Sequence, residues 1–171
     1  NAAGTRGKAA LGILAVGLSI FALTGYRHTA SGQRANDEAL WRSAMACQAE
    51  AMQDPAQQAA FSAWLSQFDG CKGLSLEEKA LAVDDAVNRM LTYQTDDAQF
   101  NVPDRWASPF ETFSNGKGDC DDYTTLKHYI LTEYLGVDRS LCQIATAKTG
   151  AGGHVFVLVN FGNTAAPDYG V

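Results

Sequence analysis

The stretch Gly116-Lys-Gly-Asp-Cys-Asp-Asp-Tyr-Thr-Thr-Leu-Lys-His-Tyr-Ile-Leu131 does most to limit what this chain can become. A glycine-rich turn feeds a cysteine, and the cysteine opens a helix. Tyr123, Leu126, Tyr129, Ile130 and Tyr134 recur at helical spacing, which predicts one buried face. Asp119 suits the N-cap, and Asp121 and Asp122 suit the positive end of the helix dipole. Cys120 then falls at about the first helical position. Unpaired backbone N–H groups there favour a thiolate and can hold a developing oxyanion. The competing reading is an inert buried thiol or half of a disulfide, the ordinary fate of a cysteine in a small domain. A matching base would decide for chemistry.

The 171 residues carry a formal net charge of −6 and no basic stripe. That balance argues against a nucleic-acid partner, which needs clustered Lys and Arg for the phosphates. Arg6 and Lys8 precede an apolar run over residues 9–23, and small residues follow up to Gly32. Residues 1–32 are therefore expected to be a signal peptide or an uncleaved membrane anchor, and the protein to be exported or periplasmic. Residues 33–171 are expected to form one domain. The stop at Asp168-Tyr-Gly-Val171 leaves a strand unfinished, so the domain is expected to be cut at its C-terminus.

From Asp37 to about Met52 the pattern is that of an amphipathic helix. Pro55 opens a second one, with Phe61, Trp64, Leu65 and Phe68 as its buried face. Cys47 and Cys71 bracket the pair. They are either a disulfide or two buried thiols, and export favours the bridge. Ser75-Leu-Glu-Glu78 is a capping box for a helix reaching about Tyr93. Residues 94–118, with Pro103 and Pro109, read as a long loop packed by Phe100, Trp106, Phe110 and Phe113. Gly136 ends the Cys120 helix. Residues 141–147 and 154–161 are strand candidates around the turn Gly150-Ala-Gly-Gly153, and Tyr169–Val171 is expected to begin a third strand. Helices first and strands afterwards predict an α+β domain.

His154 stands at the mouth of the second strand. On residue type alone it is a structural histidine. Among the three histidines, however, only His154 can meet Cys120 from a separate element. His128 lies eight residues along the same helix, about 12 Å away. A Cys–His pair is an activated nucleophile, and a third group orients the ring. Asp168 is the one carboxylate after His154. Cys142 is expected to be buried and without chemistry.

Trp106-Ala-Ser-Pro-Phe-Glu-Thr112, Gly116-Lys-Gly-Asp-Cys-Asp-Asp-Tyr123, Lys127, Leu135-Gly-Val137 and His154-Val-Phe-Val157 together resemble the bacterial transglutaminase-like cysteine proteinases. The resemblance covers roughly residues 80–161. It implies a papain-like or transglutaminase-like α+β fold with N-terminal helices followed by an antiparallel sheet. It also implies a Cys-His-Asp triad of Cys120, His154 and either Asp168 or an Asp beyond Val171. Some members of the family depend on calcium, with the acidic neighbours of the cysteine as ligands, here Asp119 and Asp121. Carboxylates beside a thiol oppose its ionisation, and a bound Ca²⁺ would offset them. Plain helix capping by the same residues needs no metal, so both readings stand. No organic cofactor is expected.

These signals predict an exported cysteine endopeptidase acting on a cell-envelope protein. The resemblance implies an adhesin-type substrate and an inner-membrane receptor that sequesters the enzyme. A transglutaminase-like acyl transfer would use the same cysteine and histidine. An inactive envelope binding module would keep the fold and lose the chemistry.

Overall fold

The computed structural model describes residues 39–46, 48, 52–149, 152–161 and 169–170. The expected leader 1–32, Cys47 and Asp168 lie outside the described residues. Helix α1, residues 39–46, is followed by α2, Pro55–Leu65, which runs into a 3-10 turn at Ser66–Cys71. Next come α3 (Leu76–Met90), β1 (Thr92–Tyr93), α4 (Asp96–Phe100), α5 (Pro109–Asn115) and β2 (Lys117–Gly118). Then follow α6 (Cys120–Tyr129), a π turn (Ile130–Tyr134), β3 (Cys142–Thr149), β4 (Gly152–Val159) and β5 (Tyr169–Gly170). Among the described residues no helix is long and apolar enough to cross a membrane.

Local chemistry sets the helix starts. The Asp54 carboxylate accepts from the Ala56 N–H at 2.8 Å, with Pro55 at the first helical position of α2. The Ser75 hydroxyl accepts from the Glu78 N–H at 3.3 Å, and Glu78 accepts from the Ser75 N–H at 2.9 Å. The capping box read from the sequence is thus formed.

Residues 94–118 are not one loop. They contain α4 and α5. The start signal of α5 is ordinary: Ser108 caps the Glu111 N–H at 3.3 Å and Pro109 takes the first position. With seven residues in α5 and five in α4, neither helix is long enough to show a period.

Helix α6 is the centre of the molecule. Every residue from Asp121 to Lys127, and His128 after it, is buried. The expected single buried face is therefore too modest. Tyr123 Oη donates to the Leu91 carbonyl at 2.8 Å, and Lys127 Nζ meets Asp84 Oδ1 at 2.6 Å, so both tie α6 to the α3 segment. His128 Nε2–H donates to the Cys142 carbonyl at 3.2 Å, and Trp41 of α1 meets its ring edge-on at 4.5 Å.

The aromatic side of the core gathers on Phe61, whose ring lies 5.6 Å from Phe110, 5.0 Å from Phe113 and 5.9 Å from Tyr129. Phe61→Ala should lower stability by about 4 kcal/mol, because the cavity sits between α2, α5 and α6. Urea unfolding would show it as an earlier midpoint at unchanged slope. A loss under about 1 kcal/mol would mean that α2 is not part of the core. Cys71 is a free, half-buried thiol packed against this core, and Cys142 is a buried one.

The main sheet has the order β3-β4-β5, with antiparallel pairing throughout. The hairpin register sets Ala147 opposite His154 and Cys142 opposite Val159. Val157 and Val159 share one core with Leu126 of α6 and Ile130 of the π turn, whereas Phe156 and Leu158 join Ala145 in a separate cluster on the other face. The parallel pair β1–β2 sets Tyr93 opposite Gly118. It fixes the turn before Cys120 through Thr92 N–H to the Gly116 carbonyl, 3.0 Å, and Gln94 N–H to the Gly118 carbonyl, 2.9 Å. The result is a mixed fold with its helices ahead of an antiparallel sheet, as the sequence predicted.

Candidate active site

Gly116 ends α5 at φ +62°, in the left-handed region that favours glycine. Two residues on, the backbone passes close to Asp122: a Cβ on Gly118 would stand 2.5 Å from Asp122 Cβ and Oδ2. The close approach has a purpose. Asp122 is buried and accepts the Ala107 N–H at 3.0 Å on one oxygen and the Asp119 N–H at 3.4 Å on the other. It clamps the α5 entry and the cysteine turn to the first turn of α6.

Cys120 is the first residue of α6, as predicted. Its sulfur faces its own N–H and the Val155 N–H of β4, and both favour the thiolate. Burial opposes this first, and the carboxylates of Asp119 and Asp121 oppose it further, so the thiol pKa lies above its ordinary value. Cys142 is buried with no such donors, and its thiol is pushed up to about 12.

His154 is half-buried. Burial holds its pKa below the ordinary imidazole value, and the Lys127 charge adds to that. A ring so placed is neutral near pH 7 and able to accept a proton. The fold brings Cys120 to the backbone directly beside His154, at Val155. The ring itself lies beside Phe156, with centroids 6.1 Å apart. Among the described residues no hydrogen bond joins it to the thiol. Tyr169 pairs with Val159, five residues along β4 from His154, or roughly 16 Å at ~3.3 Å per residue.

Beside the thiol is a knot of carboxylates. Ligand atoms of Asp119, Cys120 and Asp121 lie within 4.8 Å of one another, as do those of Asp96, Asp104 and Asp121, and those of Asp96, Asp119 and Asp122. Asp96 is 2% exposed, Asp121 3% and Asp122 1%. Asp96 Oδ1, Asp119 Oδ1 and Asp121 Oδ2 are buried without a hydrogen-bond partner. Burial raises the Asp121 pKa, and its close approach to Asp119 raises it further. Asp122 is pushed up to about 7, again by burial first. Asp96 is also raised by burial, although it accepts the Arg105 N–H. Partnerless buried carboxylate oxygens on several elements are what a hard, oxygen-seeking cation requires, and the donor set fits Ca²⁺.

Asp96 and Asp104 were not singled out from the sequence. Acidic residues in a Pro-containing loop look like solvated turn residues. The available signal was the density of Asp ahead of the cysteine. Glu111 accepts from Arg105 Nη2 at 2.6 Å and Trp106 is half-buried, so both act as supports of this loop. Tyr93, 53% exposed, has its phenol pKa raised by burial and then by Cys120, Asp119 and Asp121.

The sequence profile of the bacterial transglutaminase-like cysteine proteinases matches residues 72–165, more than half of the chain, and the chain belongs to that family. At family level it is a cysteine peptidase. Its fold is shared with Legionella pneumophila LapG. An EGTA-treated LapG structure superposes with a TM-score of 0.55 at 22% identity, over 77% of this chain and 67% of that one. A calcium-bound LapG structure gives 0.53 at 23% identity, over 72% and 65%. The chain thus spans about two thirds of the LapG structures' length. No curated protein matches significantly.

Proposed function

We propose that the protein is an exported cysteine endopeptidase that cuts a cell-envelope protein, with Cys120 as nucleophile and His154 as base. One observation supports this most. The Cys120 sulfur lies at a helix start against the Val155 N–H of β4, one residue after a histidine that burial holds neutral. His154 takes the thiol proton, and the thiolate attacks a peptide carbonyl carbon. N–H groups at the start of α6 hold the oxyanion. His154 then returns the proton to the leaving amine, and water hydrolyses the acyl-enzyme. Pairs that stand open without substrate commonly tighten once it binds. The third member of the triad, which orients the ring, is Asp168 or a later Asp.

Asp96, Asp104, Asp119 and Asp121 would hold a Ca²⁺ ion. The ion would supply positive charge that lowers the thiol pKa and fixes the turn. The LapG structure solved with calcium is in keeping with this. Export rests on the apolar run 9–23, and an adhesin-type substrate and a membrane receptor rest on the family likeness.

The test is thiol labelling of the purified chain across pH, with Ca²⁺ and with chelator. Labelling of Cys120 near neutral pH should need both His154 and Ca²⁺. Slow labelling indifferent to His154→Ala would remove the protease reading.

A further inference from the structure

The carboxylate knot contains two overlapping donor sets of different chemical character. One is made of oxygen alone and reaches back to Asp96 and Asp104. The other is Asp119, the Cys120 sulfur and Asp121, whose ligand atoms also lie within 4.8 Å of one another. Asp121 belongs to both. It is 3% exposed, and its Oδ2 is buried with no partner. Asp119 Oδ1 is likewise partnerless and belongs to a set of each kind. An ion in either set takes oxygens that the other needs.

The two sets suit different ions. Ca²⁺ takes six to eight oxygens and has little use for sulfur. A thiophilic divalent ion of the zinc class takes about four ligands, and one thiolate with two carboxylates and a water suffices. We infer that Asp119, Cys120 and Asp121 form a second metal site for a zinc-class ion, and that this ion and Ca²⁺ exclude one another. Binding forms a sulfur–metal bond, and the thiol proton leaves to solvent. Nothing is oxidised. The bound ion occupies the sulfur lone pair that would attack a carbonyl, so the site is a reversible off-switch. That consequence rests on the protease reading above, whereas the metal site itself does not.

Cd²⁺ is the probe, because a cadmium–thiolate bond absorbs in the ultraviolet and Ca²⁺ is silent there. The chelator-treated chain should develop this band on titration with Cd²⁺ alone. Cys120→Ser, which keeps the shape of the side chain, should abolish it. Asp121→Asn should weaken Cd²⁺ binding about tenfold or more. Added Ca²⁺ should shift the wild-type titration to higher Cd²⁺, and Asp96→Asn should relieve that competition while leaving the band. A band that survives in Cys120→Ser, or a titration indifferent to Ca²⁺, would overturn the inference. A normal cadmium band in a protein whose Cys120 labels slowly would count against the protease reading alone.

Discussion

Cys120→Ala is expected to reduce peptide cleavage to the uncatalysed background, and His154→Ala to cost roughly 10⁴-fold or more in kcat/KM. The loss is large because burial and two flanking carboxylates hold the thiol pKa up. Without a base, little thiolate exists near neutral pH to attack a carbonyl. Cys71→Ser should cleave at the wild-type rate, since Cys71 packs against the core around Phe61. Fragments resolved by mass spectrometry would report all three. In the wild type, kcat/KM should rise as His154 loses its proton. Burial and Lys127 depress that pKa, so the acid limb should fall below the ordinary imidazole value of 6.5. Equal cleavage by His154→Ala and wild type would end the proposed pairing.

The second large effect is on stability. In chelator, the protein should become less stable as pH rises from about 4 through 7. Asp122 titrates from an ordinary value of 3.8 when unfolded to about 7 when folded, and Asp96 and Asp121 shift the same way. The folded state therefore holds these protons more tightly than the unfolded state does. The stability they contribute is complete below the unfolded value and lost as pH passes the folded one. For Asp122 the loss is on the order of 4 kcal/mol. Ca²⁺ held by the ionised carboxylates, as proposed, should restore stability at high pH, in proportion to RT ln(1 + [Ca²⁺]/Kd). At low pH protons occupy the oxygens, and Ca²⁺ should change little. Thermal unfolding at about pH 5 and about pH 8, with chelator and with Ca²⁺, separates these cases. Equal midpoints in all four conditions would mean that the carboxylate knot neither titrates nor binds the ion.

Residues alone were enough for features that depend on near neighbours in the chain. The capping box at Ser75 and Glu78, the proline start of α2, the antiparallel pairing of β3 with β4 and Cys120 at the head of α6 are of this kind. Caps, turns and periodic apolar residues act over three or four positions, so they can be read without a fold. Helix α5 could have been found the same way, by the Ser108–Pro109–Glu111 start, but proline and glycine nearby argued for a loop; α4, whose Thr95 cap makes no side-chain bond, carries no such signal. The free state of Cys71 was equally out of reach, because pairing depends on where two distant thiols come to lie.

Tertiary structure alone decided what surrounds the thiol. Asp121, Asp122, Lys127 and His128 look like the wet face of an amphipathic helix, yet α6 is covered by α3, α5 and β4 and they are buried. Asp96 and Asp104 come to the cysteine because β1 pairs with β2 and Asp122 holds Ala107, contacts that join residues fifteen or more positions apart. The sequence by itself determined where the Cys120 helix begins and which histidine comes from another element. Only the fold decided that partnerless carboxylates from α4 and from the start of α6 meet beside that sulfur. Charge repulsion and burial act through space, and distance along the chain does not reveal them.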